Sequence, residues 1–171
     1  MPHHVVYIGL GSNLGDREVN INGAIRRMGL LAQTLVARQS RVISTSPVGG
    51  PPGQSDYLNA VVEMSTEMEP AQLLHGLLSI ESSMGRDRGC EVRHGPRVID
   101  LDILLFDQVV CDIPGLTIPH PRLVERMFVL IPLAELVPDL RHPVLKLSIR
   151  QLLEQSGSAP PSPGAPPIEY L

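Results

Sequence analysis

Between Pro96 and Phe106 the chain reads Pro-Arg-Val-Ile-Asp-Leu-Asp-Ile-Leu-Leu-Phe, a run that narrows the choice of fold more than any other part of the sequence. Side chains two apart on a β-strand point the same way. As a strand, the run puts Ile99, Leu101, Ile103 and Leu105 on one apolar face, and Asp100 and Asp102 on the other with Val98, Leu104 and Phe106. An apolar sheet face must be covered by a second layer. Two neighbouring carboxylates on a partly covered face repel each other and lose hydration, so one keeps its proton unless a cation compensates. Hard divalent cations such as Mg2+ take carboxylate oxygens and share their sites with substrate phosphates. Arg93 and Arg97, just upstream, carry planar guanidiniums that suit phosphate oxygens. The segment therefore reads as a metal-assisted phosphate site. A solvated edge strand is the plainer alternative, and the apolar residues beside the aspartates count against it.

A chain of 171 residues fits one domain large enough to bury a core. Its net charge of −4 and pI near 5.8 lack the basic footprint of a dedicated nucleic-acid binder. Cys90 and Cys111 are isolated thiols without CxxC spacing, which points to a reducing cytosol. The N-terminus lacks the apolar core of a signal peptide, and no apolar run is long enough to span a bilayer. A cytoplasmic protein without nucleic-acid or membrane partners is expected. With three Tyr, two Phe and no Trp, any flat ligand must be gripped by few rings.

Residues 5–10 read as a strand ending in a glycine-rich loop, and Asp16 can cap the helix that follows, whose buried stripe is Ile21, Ala24, Ile25, Met28 and Leu31. A second strand spans about 35–44, and residues 46–53 form a Pro/Gly loop. Residues 57–65 alternate, with Leu58, Ala60, Val62 and Met64 opposite Tyr57, Asn59, Val61 and Glu63. Pro70 opens a helix that runs to about Met84, with Leu73, Leu74, Leu77, Leu78 and Ile80 as its core, and Gly85 stops it. After a polar loop over 85–95 comes the aspartate strand, then a short strand and turn over 116–121, a helix over 128–136 despite Pro132, and another over 149–155. A single domain therefore spans 1–155, while residues 156–171 are too rich in Pro, Ser and Gly to build a core and read as a disordered tail. Long Pro-rich loops favour an α+β sandwich, with an antiparallel or mixed sheet under helices, over a doubly wound parallel sheet.

Several residues carry a functional and a plainer alternative. Arg97, held by Pro96 three residues before Asp100, suits phosphate contact, whereas Arg88 is surface charge by default. Glu81 lies on the core side of its helix, where an ion pair with a nearby arginine is the first expectation. Asn59 could read a heterocycle through donor and acceptor together, or simply brace the structure. The Gly9–Gly15 loop lacks the spacing of a P-loop or a dinucleotide fold. His120, between Pro119 and Pro121, sits in a rigid turn.

Four blocks in order resemble the 6-hydroxymethyl-7,8-dihydropterin pyrophosphokinase family: Tyr7-Ile8-Gly9-Leu10-Gly11-Ser12-Asn13-Leu14-Gly15, Asp56-Tyr57-Leu58-Asn59-Ala60, Gly95-Pro96-Arg97 through Phe106, and Leu116-Thr117-Ile118-Pro119-His120-Pro121-Arg122 with Arg126 and Phe128 beyond. The resemblance implies a ferredoxin-like α+β fold, a three-layer α/β/α sandwich with a mostly antiparallel sheet and long mobile active-site loops. It implies transfer of pyrophosphate from ATP to the pterin hydroxymethyl group, releasing AMP, in tetrahydrofolate biosynthesis. By the same resemblance Asp100 and Asp102 bind two Mg2+ ions, and Arg86 and Arg97 approach the phosphates as loops close. Glu81, Ile103, Thr117, His120 and Arg126 match nucleotide-site positions. Ser46, Pro47, Val48, Gly49, Tyr57, Asn59 and Phe128 match the pterin site, with Asn59 reading the ring edge and Phe128 stacking on it. The implied partners are ATP and the pterin, with a monomer expected and a dimer as the alternative.

His94 stands where many members of that family carry Trp, so a looser closed state is expected. The 85–97 loop is one residue longer than in some members, and Pro121 follows His120 where some members carry Tyr. Two rival functions make different predictions. Another two-metal phosphotransferase or nuclease would act without pterin, and a ferredoxin-like binding module would keep its function after loss of both aspartates.

Overall fold

The computed structural model describes residues 3–158 and 168–170. In chain order the elements are β1 (His4–Ser12), α1 (Arg17–Met28), β2 (Thr34–Gln39), β3 (Ile43–Thr45), β4 (Tyr57–Thr66), α2 (Pro70–Ser83), β5 (Asp100–Phe106), β6 (Cys111–Ile113), β7 (Leu116–Ile118), a 3-10 turn (Leu123–Glu125), α3 (Met127–Leu136), α4 (Ile149–Ser158) and β8 (Ile168–Tyr170). The main sheet runs β5-β1-β4-β3-β8, with β2 beside β3 on the same edge of β4, and β6 and β7 form a separate hairpin. Every pairing is antiparallel. With β2 and β3 counted as one interrupted strand, this is the expected ferredoxin-like order.

Local chemistry accounts for the helix ends. Asp16 accepts the Val19 N–H at 3.1 Å, and Glu69 with Gln72 forms a capping box before Pro70. Gly85, at φ +95°, ends α2 in a conformation that suits glycine. Helix α3 tolerates Pro132 because Val129, Leu130 and Leu133 are buried on both sides of it. On one face of the sheet α1 and α2 cover Val6, Ile8, Leu10, Val62, Met64 and Leu101. On the other, α3 and α4 cover Tyr7, Val61, Leu104 and Leu105.

Four expectations need correction. The strand over 35–44 is broken into β2 and β3, because the Ser40 hydroxyl accepts the Val61 N–H at 2.9 Å in place of a backbone carbonyl. Phe106 lies on the α1/α2 face rather than with the aspartates, and Leu105 on the aspartates' face rather than opposite them, because a bulge between Ile103 and Leu105 inserts one residue and reverses the alternation. Leu78 is exposed on α2 rather than in its core. The tail boundary also moves. Helix α4 continues to Ser158, where the Ser156 hydroxyl donates to Val124 O at 3.1 Å. Ile168–Tyr170 adds a strand to the open edge of β3. The rest of the expected tail, 159–167 and 171, lies outside the described residues.

Cys90 and Cys111 are free thiols. Among the described residues no helix is long and apolar enough to cross a membrane.

Candidate active site

The register of the three central strands builds the site. Gly11 on β1 pairs with Asn59 on β4 and with Asp100 on β5, and Gly9 pairs with Val61 and Asp102. Asn59 and Asp100 therefore stand two strand spacings apart, roughly 10 Å, with no side chain on the strand between them. The glycines keep that trough open. A Cβ on Gly11 would come within 3.3 Å of Asn59 Oδ1 and 3.6 Å of the Tyr57 ring, and one on Gly9 within 3.3 Å of Leu104. The cleft above this row encloses about 260 Å3. Ser46, Pro47 and Val48 line it, as do His94 and Arg97, and Arg126, Phe128 and Val129 at and just after the N-cap of α3.

Asn59 is buried, and its amide donates to the Thr45 hydroxyl at 2.8 Å. That bond fixes the amide orientation and leaves its carbonyl oxygen toward Gly11. Tyr57 donates to Gly95 O at 3.4 Å. Phe128 lines the cleft with the Arg126 guanidinium 5.7 Å from its ring centre, within cation–π range.

At the other end of the row, Asp100 takes an arginine on each oxygen, Arg86 at 2.6 Å and Arg97 at 3.1 Å. Among the described residues Asp102 has only the more distant Arg126 at 3.7 Å and His120 at 4.0 Å. Burial and the negative charge of Asp100 push the Asp102 carboxyl up to about 6. The shift has the direction expected for one of two neighbouring carboxylates, and it leaves Asp102 largely ionised at neutral pH. Among the described residues no three His, Cys, Asp or Glu side chains form a protein-only metal cage. Two carboxylates whose remaining ligands come from phosphates and water fit Mg2+. The Arg97 Nε is buried without a hydrogen-bond partner, and the nearest carboxylate oxygen, on Glu91, is 3.8 Å away. An orphaned guanidinium donor beside the aspartates suits an anionic ligand.

His120 accepts the Arg122 N–H on Nδ1 at 3.1 Å, which leaves its proton on Nε2, facing Asp102. Burial and the charge of Arg126 pull this imidazole down to about 4, so it is a neutral donor at physiological pH.

Arg86 sits deeper than its expected role suggests. Its Nε and one terminal nitrogen grip Glu91 at 2.6 and 3.2 Å, and the other terminal nitrogen meets Asp100, Glu81 at 2.9 Å and the Ile99 carbonyl at 3.4 Å. Burial opposes its charge, but the Glu91, Asp100 and Glu81 carboxylates outweigh that and raise its pKa. Glu81 is 1% exposed, pairs with Arg88 as well, and caps the open edge of β5 by accepting the Leu101 N–H at 2.8 Å. The ion-pair alternative for Glu81 holds, and Arg88 is its partner rather than loose surface charge.

Cleft and network together gather Ser46, Pro47, Val48, Tyr57, Asn59, Arg97, Asp100, Asp102, Arg126 and Phe128, with His120 adjoining. Four expected residues stand apart from the cleft: Ile103 packs into the α1/α2 core, Thr117 donates to Asp112 at 2.8 Å on the β6–β7 hairpin, and Glu81 and Arg86 pair in the buried network beside Asp100. Gly49 sits just past the lining residues at φ +75°. Sequence reasoning missed Glu91, Asn13 and Gln54. Glu91 was discernible as an acid between Arg88 and Arg93, whereas the other two carried no local signal.

A pH dependence follows. If Asp102 holds a catalytic Mg2+, it must be ionised to do so, so kcat/KM at limiting Mg2+ should fall as pH drops through about 6, and saturating Mg2+ should move the inflection to lower pH. His120 stays neutral across that range and adds no second limb. A flat profile would contradict the assignment.

The family comparison agrees with this geometry. The family model for 7,8-dihydro-6-hydroxymethylpterin-pyrophosphokinase (HPPK) matches residues 7–138. The 2-amino-4-hydroxy-6-hydroxymethyldihydropteridine pyrophosphokinase of Bacillus subtilis is 44% identical over 134 residues, covering 78% of each chain. The enzyme of that name from Synechocystis is 39% identical over 166 residues, covering 97% of this chain and 83% of its own. Among solved structures, Plasmodium falciparum HPPK-DHPS with pteroate superposes with a TM-score of 0.72 at 15% identity, covering 90% of this chain and 44% of that one. The last likeness concerns the fold, whereas the matched residues and the bacterial relatives show that the chain belongs to the 7,8-dihydro-6-hydroxymethylpterin-pyrophosphokinase family.

Proposed function

We propose that this chain transfers pyrophosphate from ATP to the hydroxymethyl group of 6-hydroxymethyl-7,8-dihydropterin, releasing AMP, as a step of folate biosynthesis. The observation that carries the proposal is the Asn59–Gly11–Asp100 row: a heterocycle-reading amide and a phosphate-side carboxylate share one open trough. Asn59, oriented by Thr45, reads the ring edge, and Phe128 stacks on its face. Main-chain groups over 46–49 read the remaining edge. A ring held there directs its hydroxymethyl arm along Gly11 toward Asp100.

Asp100 and Asp102 would hold Mg2+, which supplies charge neutralisation around the β-phosphorus and aligns attacking and leaving oxygens when bound. Arg97 offers its free Nε and Arg126 its guanidinium to phosphate oxygens, while the His120 Nε2–H donates without adding charge. Arg86 acts through Asp100, whose Oδ1 it holds at 2.6 Å. Positioning and preorganised charge dominate such phosphoryl-type transfers. The protein incubated with Mg2+-ATP should release AMP only when the pterin is present. AMP formation equal to a pterin-free control would contradict the proposal.

His94 lines the cleft at φ +57°, a conformation that histidine tolerates better than most residues. A larger ring should seal the mouth better, so His94→Trp is expected to tighten pterin binding by roughly 0.5–1.5 kcal/mol. Titration of the intrinsic pterin fluorescence measures it, and unchanged or weaker binding counts against the looser-closure account.

A further inference from the structure

The geometry points to Gln54 as the residue that couples the pterin side of the cleft to the phosphate side, a positioning role that rests on the function proposed above. Gln54 lies in the loop between β3 and β4, and its Nε2 lies 3.2 Å from Gly49 O, 3.1 Å from Pro51 O and 3.1 Å from His94 O. Its Oε1 accepts the Asn13 amide at 3.2 Å. Asn13 in turn holds the backbone of Arg97 from both sides. Its Oδ1 accepts the Arg97 N–H at 2.8 Å, and its own N–H donates to Arg97 O at 3.1 Å. Two side chains thus connect the loop that lines the pterin pocket to the residue whose guanidinium reaches Asp100.

The pattern fixes the direction of each amide. Reversing Gln54 would aim its oxygen at three carbonyls, and reversing Asn13 would set an NH2 against the Arg97 N–H. Three carbonyls compete for the two N–H groups of Gln54, so the amide can shift weight between the 46–53 loop and His94 as either side moves. Gly50 shows how closely the loops meet. At φ +82°, a Cβ there would lie 2.1 Å from His94 O and 2.6 Å from Gln54 Nε2. A ligand seated against Pro47 and Val48 displaces or orders Gly49, and Gln54 passes that change to His94 and, through Asn13, to Arg97. Gln54 is not among the residues that line the cleft, so the role assigned to it is one of positioning.

An ordinary loop staple would make the same bonds, and coupling separates the two roles. The quantity to measure is the ratio of pterin affinities with and without Mg2+ and α,β-methylene-ATP, which resists cleavage at the bond to be broken. In the wild-type chain this ratio should fall in the range of about 5–150 that is usual for coupled sites. Gln54→Glu keeps the size and the acceptor for Asn13 but removes the donors, and it should bring the ratio close to one with a smaller effect on nucleotide affinity alone. Gln54→Ala should do the same. Lower melting temperature with equal losses in both affinities and an unchanged ratio would overturn the inference. So would a wild-type enzyme that forms AMP from the pterin yet shows no coupling. Failure of wild type to bind pterin at all would instead remove the proposed function, and this inference with it.

Discussion

Asp102→Asn is expected to cut pterin-dependent AMP formation by about 10²–10³ while raising the melting temperature of the metal-free protein above pH 6. The two effects have one origin. The folded state holds the Asp102 carboxyl up at about 6, through burial and the charge of Asp100, whereas an unfolded chain leaves it at its ordinary acidic value. The native state therefore binds more protons between those values, and its stability falls as pH rises across that window and stays reduced above it. An amide of the same shape removes that penalty. It also removes an anionic oxygen from the metal site, and loss of one preorganised electrostatic contact typically costs about 10²–10³ in kcat. Mg2+ with a nucleotide should raise the melting temperature of wild type and leave that of the variant nearly unchanged. A variant that is less stable than wild type at alkaline pH, or as active as wild type, would contradict this assignment.

Arg86→Leu is expected to produce the largest loss of stability of any substitution at the site. Arg86 neutralises Glu81, Glu91 and Asp100 together, and both Arg86 and Glu81 are nearly inaccessible to water. Removing the shared cation of a buried network costs about 3–5 kcal/mol, equivalent to a drop in melting temperature on the order of 10 °C for a domain of this size. Arg86→Lys should recover little, since a point charge cannot hold Glu91 through two nitrogens and still reach Asp100. Arg97→Leu provides the contrast. Its side chain is 26% exposed and its Nε has no hydrogen bond, so activity should fall far more than stability. Denaturant melts of the three variants decide the matter, and a fully stable Arg86→Leu would show that Arg86 is a mobile phosphate ligand rather than the anchor of Asp100.

What could be read in the sequence was set by the range of the interactions. The period of two in Asp100-Leu101-Asp102-Ile103 is local, and it placed both carboxylates on the right face. The bulge that sends Phe106 to the opposite face depends on pairing with Tyr7 and Ile8, nearly a hundred residues earlier, and left no mark in the strand itself. Ser40 interrupts the second strand for a similar reason, because its hydroxyl matters only opposite Val61. The contacts of Gln54 with His94 and of Asn13 with Arg97 span long sequence separations through single amides, which composition and periodicity do not register. Glu91 was accessible through charge pattern alone, as an acid surrounded by arginines, but its embrace of Arg86 needed the folded loop. Ile168-Glu169-Tyr170 was obscured by the Pro-, Ser- and Gly-rich stretch before it, although the segment itself has a β-forming composition and meets an open strand edge.

The most direct test of the Asn59–Gly11–Asp100 trough follows phosphorus rather than nucleotide alone. Wild-type protein is incubated with Mg2+-ATP and 6-hydroxymethyl-7,8-dihydropterin, and the products are followed by phosphorus NMR and mass spectrometry. The expected result is AMP in equal amount to a pterin carrying a diphosphate, with Gly11→Val forming neither because its side chain fills the trough between the two groups. Release of ADP with a singly phosphorylated pterin, or full activity in Gly11→Val, would contradict the account.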